Sequence, residues 1–396
     1  MSQTYLDISD IPKELCAILE LLKSDAKPND KLVFSQKLDW KLFADLCMHH
    51  RVYPIIYLKL KLLEEGSIPA YIMDYLAYHY KRNTIKMLKY SAVTEKVCQL
   101  FSDNEIRSLL LKGPALAQEL YGDISHRTSS DLDILVPIDD LEQAETLLIE
   151  SGYRKDDYIH SILNDWKWRH HHFSYFHPEE NIKIELHWRL NPGPGKEPRF
   201  DELWKKRVKS GLTQSFVYLL GKEDMFMFLS SHGARHGWSR LRWLLDLQYL
   251  IKQELDEKDI KSSARRYHCT RTVGQALYLT INLLDGKAND LLQSMINRSK
   301  IQELAQQTIF YLKNQVNLHD EPVSESISNY HKNYLFKLKN FQQKLIFVLS
   351  FLYPYPEDKL TFPLPRELHF LYFFLRPFLG LWRQLKKTDI YREKYE

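Results

Sequence analysis

Asp131 and Asp133 stand two residues apart in the segment DLDILVP. Residues i and i+2 of a β-strand project to one side, so on a strand the two carboxylates share a face. Such a pair can jointly hold Mg²⁺, a hard cation that takes oxygen ligands. Two-metal nucleotidyl transfer needs this arrangement: one ion activates the attacking hydroxyl, and the other neutralises the triphosphate and its leaving group. A third carboxylate usually completes the set from a neighbouring strand. Glu185, in IKIELHW, is the candidate, and His187 falls on the same face two residues on.

An isolated D-x-D is a weak signal, because surface turns produce it often. Three surrounding features raise it. Its flanks are apolar, as on a buried strand. The preceding IRSLLLKG reads as a strand ending in Gly113, and PALAQELY reads as a helix with Pro114 at its first position. The N-terminus of that helix can receive a phosphate. DDLEQAETLLIESGY reads as a helix closing on Gly152, and FSYFHPEENIKIELHW as a hairpin turning at PEEN.

The order of elements over 105–190 predicts a small mixed α/β core. Residues 1–104 carry helical apolar spacing, as in Leu15, Ile18, Leu19 and Leu22. NPGPGKEP, at 191–198, reads as a boundary or mobile loop, and residues 200–396 read as a C-terminal helical domain. The expected class is α+β, a nucleotidyltransferase-like core flanked by two helical regions.

Composition narrows the partners. The chain has 396 residues, 44% of them hydrophobic and 27% charged, with a net charge of +4. That balance is too mild for general DNA binding. Cys16, Cys47, Cys98 and Cys269 lie far apart with no C-x-x-C, which fits a reducing compartment and disfavours structural zinc. The start, MSQTYLDISDIPKEL, lacks the basic and apolar parts of a signal peptide, so the expected location is cytoplasmic. No G-x-S-x-G, P-loop or G-x-G-x-x-G occurs.

The segment LLLKGPALAQELYGDISHRTSSDLDILVP resembles the nucleotidyltransferase superfamily related to DNA polymerase beta. It is closer to a bacterial family of uncharacterised nucleotidyltransferases with a KGxAL…Y…R…S-D-x-D core. IELHW and HGARHGWSRLRWLLDL are similar to later parts of that family. The likeness spans roughly 40–250, with its specific core at 109–136.

The resemblance implies that Asp131, Asp133 and Glu185 bind two Mg²⁺ ions, with Glu185 helping to deprotonate the acceptor. It implies nucleotide contacts from Gly113, Ser129 and Ser130, and a triphosphate or substrate contact from Arg127. It implies transfer of NMP from an NTP, with ATP the first candidate, to an unidentified acceptor hydroxyl or phosphate, releasing pyrophosphate. The acceptor class stays open between small molecule, glycan, peptide and RNA. Gly113-Pro114 replaces the usual pair of small turn residues, and Pro114 removes a backbone donor. Lys112 is placed to compensate with its charge. The alternative is a non-catalytic nucleotide-binding or scaffolding member of a biosynthetic or defence system.

His232 and His236 stand four apart on an expected helix beside Arg235. The metalloprotease motif fails, because no Glu follows the first His. The resemblance suggests that these three residues contribute to a substrate or nucleotide cleft, and ordinary helix packing is the other reading; His187 is a further candidate for that cleft. The run His170, His171, His172 reads as a solvated edge, since consecutive histidines on a strand cannot all face one metal. Asp246 could orient a cleft Arg or His. The aromatic tail, KLIFVLSFLYPYP and LHFLYFFLRPFLGLWRQLKK, reads first as helices packed on the body. A second reading is peripheral membrane contact, with Arg376, Arg383, Lys386 and Lys387 near headgroups.

Overall fold

The computed structural model describes residues 6–23, 37–64, 66–214, 216–286, 290–296, 298–318 and 323–393. Four helices come first: α1 (Lys13–Lys23), α2 (Trp40–His49), α3 (Tyr53–Leu60) and α4 (Ala70–Asp103). The predicted apolar face of α1 is buried, with Leu15, Ile18, Leu19 and Leu22 all inside. Asp39 caps α2, its carboxylate accepting from the backbone N–H groups of Lys41 and Leu42 at 3.0 and 3.1 Å.

Residues 70–103 form a single helix, α4, of 34 residues, about 50 Å at 1.5 Å per residue. Its length has a positional use. Asn83 donates to the carbonyls of Ser125 and Arg127 at 2.8 and 3.1 Å, and the Tyr90 hydroxyl donates to the Ser130 carbonyl at 2.9 Å. One rigid rod therefore fixes the backbone leading into Asp131.

The sheet follows with β1 (Leu109–Leu110), α5 (Gly113–Tyr121), β2 (Leu132–Leu135), α6 (Leu141–Glu150), β3 (Arg154–Lys155), the short α7 (Trp166–Arg169), β4 (His172–His177) and β5 (Ile182–His187). Gly113 opens α5 at φ +82°, and Gly122 and Gly152 follow α5 and α6 at φ +71° and +94°. L side chains resist that region, so glycine stands there. The expected hairpin is β4–β5, antiparallel and in continuous register from His172↔His187 to His177↔Ile182.

The chain after 200 is not helical throughout, as its pattern suggested. Beyond α8 (Phe200–Lys205), β6 (Val208–Lys209) and β7 (Tyr218–Leu219) extend the sheet. The seven described strands are ordered β3-β4-β5-β2-β1-β7-β6. The segment 191–198 is tied down: Arg189 donates to the carbonyls of Gly193 and Gly195 and pairs with Glu197 at 2.8 Å.

Helices α9 (Lys222–Arg235), α10 (Leu241–Ile251), α11 (Glu257–Arg266), α12 (Thr270–Leu284), α13 (Asp290–Ile296) and α14 (Ser299–Lys313) pack on the sheet and on the N-terminal helices. A single apolar cluster runs from Ile11 to Leu312, so the interior is continuous across 104 and across 191–199. A smaller cluster of Tyr311, Val316 and Tyr334 attaches α15 (Glu325–Leu338).

The tail departs from the packed-helix expectation. No residue of α16 (Phe341–Ser350) is buried, and after α17 (Pro356–Thr361) the helix α18 (Tyr372–Glu393) leaves Phe374, Phe378, Leu381 and Trp382 exposed. Arg376 and Arg383, expected near headgroups, both donate to Oδ1 of the buried Asp358, at 2.9 and 2.6 Å. The side chains of Lys386 and Lys387 lie outside the described residues. Among the described residues, no helix is long and apolar enough to cross a membrane.

Candidate active site

The central strands β2 and β5 run parallel, with Asp133 paired to Glu185 and Leu135 to His187. On β5's other side, His172 pairs with His187 and Ser174 with Glu185. Alternation therefore puts Asp133, Glu185, His187 and His172 on one face of the sheet. His187 Nε2 lies 3.3 Å from Asp133 Oδ1 and 3.7 Å from Glu185 Oε2, and His172 Nδ1 lies 3.8 Å from Glu185 Oε2.

The histidine run is not a solvated edge. Its second and third members enter the site, with His171 Nε2 and His172 Nδ1 3.3 Å apart and both rings about 5 Å from that of His187. Strand alternation would have separated them, but His171 precedes β4. Its carbonyl accepts from Trp188 N–H at 3.0 Å where the ladder ends, so the backbone is free to turn the ring inward. His170 has no place in this cluster.

The donor atoms of Asp133, Glu185 and His187 all lie within 4.8 Å of one another, and so do those of His171, His172 and His187. Asp131 belongs to neither group. Both oxygens of Asp133 and both ring nitrogens of His187 are buried with no hydrogen bond of ordinary geometry. Buried polar atoms rarely go without partners. His187 Nε2 and Asp133 Oδ1 lie 3.3 Å apart, and with Glu185 beside them the group offers the oxygen and nitrogen donors that a cation takes.

Basic side chains balance the carboxylates. Lys112 Nζ is 2.8 Å from Asp133 Oδ1, and Lys183 Nζ is 2.7 Å from Glu185 Oε1. Burial alone would raise the Glu185 carboxyl, but the long hydrogen bond from His187 and the charge of Lys112 hold it well below the usual carboxylate range. Burial opposes ionisation of Asp133 too, and Lys112 and His187 outweigh it. Asp131 moves the other way, raised by burial and by the charge of Asp133. Burial lowers His172 to about 3 and His171 further, so both are neutral donors.

A second group of cations gathers around Asp131, and sequence reading missed it. Burial lowers the Lys86 ammonium on α4, Asp131 raises it and Arg51 lowers it, so both charges act on Lys86. Burial brings the Arg242 guanidinium down to about 9, with Arg127 and Arg51 adding repulsion and Asp246 and Asp131 opposing it. Arg242 Nε is buried without a partner, while Nη1 donates to the Thr128 carbonyl. The N–H of Arg242 donates to the His50 carbonyl at 3.3 Å, joining the start of α10 to the turn that holds Arg51 at φ +56°. These three residues come from separate elements and form no motif, so no spacing signal could have found them.

The expected nucleotide contacts divide. Gly113 sits at the helix opening with Lys112 beside it. Ser129 Oγ donates to the Asp131 carbonyl at 2.8 Å, and Ser130 Oγ lies 3.3 Å from Asp131 Oδ2. Arg127 is engaged within the protein. Its Nε and Nη2 bond Asp246 Oδ1 and Oδ2 at 2.9 and 3.0 Å, with Tyr121 donating to Oδ1 at 2.7 Å, and both charged side chains are fully buried. Its fork orients the loop before Asp131 instead.

On α9, the His232 ring stands beside those of His236 and Trp243, with centroids 4.7 and 5.5 Å away. Burial, with Lys112 and His236 adding repulsion, keeps His232 neutral. Arg235 Nη2 lies 3.4 Å from His232 Nδ1. Burial lowers the Arg235 guanidinium to about 10, while Glu185, Asp133 and Glu197 favour its charge. Of the cleft candidates, His187 and Arg235 are thus brought to the carboxylates.

A family model described as an uncharacterised nucleotidyltransferase matches residues 36–285. The match takes in the whole sheet and ends at the residue capping α12. No curated protein and no solved structure matches the chain.

Proposed function

The chain belongs to this family of uncharacterised nucleotidyltransferases, and from that premise we propose that it moves NMP from an NTP to an acceptor hydroxyl or phosphate. The observation that carries this reading is the register of Asp133 with Glu185, beside His187, with donor atoms of all three within 4.8 Å of one another. In the reaction, the acceptor oxygen bonds to the α-phosphorus and the bond to the β-phosphate oxygen breaks. Pyrophosphate leaves, and the acceptor's proton passes by way of Glu185 to solvent.

Asp133, Glu185 and His187 would hold a divalent cation, with Asp131 contributing to a second, and bound metal would neutralise charge on the leaving pyrophosphate. Arg51, Lys86 and Arg242 would face the triphosphate, which favours fixed cations in a poorly solvated site. The N-terminus of α5 at Gly113 adds its unpaired backbone donors. Glu185, kept ionised, accepts a hydrogen bond from the attacking group and orients it. The four cysteines are all free, which supports a reducing, cytoplasmic setting.

The test is incubation with α-labelled NTPs, Mg²⁺ or Mn²⁺ and cell extract, followed by identification of the labelled product by mass spectrometry. ATP is the first nucleotide to try. Asp131→Asn and Asp133→Asn should each abolish labelling. Labelling that persists in both variants sinks the proposal, and nucleotide binding without turnover in the wild type would favour the non-catalytic alternative.

A further inference from the structure

A cavity of about 400 Å³ is lined in part by Arg169, Arg189 and Arg235. Its rim continues the strands that carry the candidate ligands: Arg169 lies just before His171, and Arg189 and Leu190 lie just after His187. Arg235 stands between the two spaces. It lines the cavity, and its charge is felt by Glu185, Asp133 and His171. Through Arg169, Arg189 and Arg235 the cavity adjoins the strand ends that carry His172 and His187.

The lining carries five cations, Arg169, Arg189, Lys196, Arg235 and Lys339, against the acids Glu197 and Asp224. Two of the arginines are already engaged. Arg169 pairs with Asp165 at 2.6 Å, and Arg189 with Glu197 at 2.8 Å. Arg235 is different. It has no carboxylate within salt-bridge distance among the described residues, and its buried Nη1 has no hydrogen-bond partner. Leaving a buried guanidinium donor unsatisfied is costly, and a small shift of this side chain, which already lines the cavity, would offer that donor to an anion there. The lining also has an apolar part, Met227 and Phe228 from α9 with Leu338 and Phe347 from α15 and α16.

Resting on the transfer reading above, we propose that this cavity is the acceptor site. Its acceptor carries an anionic head, phosphate or carboxylate, seated on Arg235, and an apolar body against the apolar part of the lining. The volume suits a ligand of a few hundred daltons. That apolar part has a further consequence. Leu338 and Phe347 lie beyond residue 285, where the family match ends, so the C-terminal helices select the acceptor of this particular chain.

The test is calorimetry and saturation-transfer NMR on the full chain without nucleotide or metal. The probes are phenyl phosphate, phenylacetate, benzyl alcohol and phenethylamine. Wild type should bind one or both anions and neither of the others. The two anions report separately whether phosphate or carboxylate is preferred. Arg235→Gln should weaken anion binding about tenfold or more, the scale of a charge-assisted hydrogen bond, and Arg235→Lys should restore part of it. Leu338→Trp, which adds bulk to the apolar part of the lining, should block binding with Arg235 intact. Equal binding of the neutral or cationic probe, no binding of either anion, insensitivity to both Arg235→Gln and Leu338→Trp, or displacement of the probe by ATP each overturns the proposal. Anion binding without any NTP turnover would instead remove the transfer reading, and with it the role as acceptor site, while leaving an anion-binding cavity.

Discussion

Arg127 and Asp246, 119 residues apart in the chain, meet in a two-pronged ion pair with neither side chain reaching solvent. Removing one member leaves the other charged and buried. Arg127→Ala or Asp246→Ala is therefore expected to cost about 3–5 kcal/mol of stability. An apolar double replacement, Arg127→Met with Asp246→Leu, should recover most of it. Urea titration of the four proteins checks this, and a loss under 1 kcal/mol in both single variants would refute it.

His187 gives the proposed cation centre a nitrogen donor among oxygens. Imidazole suits Mn²⁺ better than Mg²⁺, which prefers an all-oxygen shell. Mn²⁺ should bind more tightly than Mg²⁺, measured by electron paramagnetic resonance with Mg²⁺ as competitor. His187→Gln should narrow that preference, and Asp133→Asn should remove binding of both ions. An unchanged preference in His187→Gln would take the imidazole out of the donor set.

Arg242 is buried, incompletely bonded and crowded by Arg127 and Arg51. Arg242→Met should therefore leave stability unchanged or raise it. The same change should weaken NTP binding about tenfold, the scale of one charge-assisted hydrogen bond. Thermal melting and nucleotide titration read the two effects separately. A variant that is destabilised and binds NTP normally would show that Arg242 serves the fold alone.

Asp224 predicts a pH slope in stability. Burial raises its carboxyl from 3.8 to about 6, with Lys206 opposing and Asp259, Glu223 and Glu202 reinforcing. The folded protein then holds more protons than the unfolded chain between those values. Its contribution is greatest below pH 3.8 and declines as pH rises towards 6, by at most about 3 kcal/mol. Asp224→Asn lacks this term, so its stability relative to wild type should increase from pH 4 to pH 7. A constant difference across urea titrations in that range would contradict the assignment.

The carboxylates were legible because strand alternation is a two-residue rule. Asp131 and Asp133 needed only apolar flanks, and Glu185 and His187 needed the same rule on the second half of a hairpin. His171 was misread for the same reason, because alternation ends where the ladder ends. Strands β6 and β7, two residues each, are too short to carry any period and are defined only by pairing. Arg51, Lys86 and Arg242 are brought together by tertiary packing. Arg127 shows the converse: its place near the D-x-D suggested a ligand contact, but Asp246, far along the chain, takes its guanidinium.

The parallel pairing of β2 with β5 also sets when the site can exist. Parallel neighbours require a crossover, and here it runs through α6, β3 and β4. During synthesis, Asp131 and Asp133 leave the ribosome well before Glu185 and His187. Until β5 emerges and closes that long loop, the aspartates lack Glu185 and His187. Closing such a loop costs entropy before any contact rewards it. A half-made chain therefore holds no competent centre.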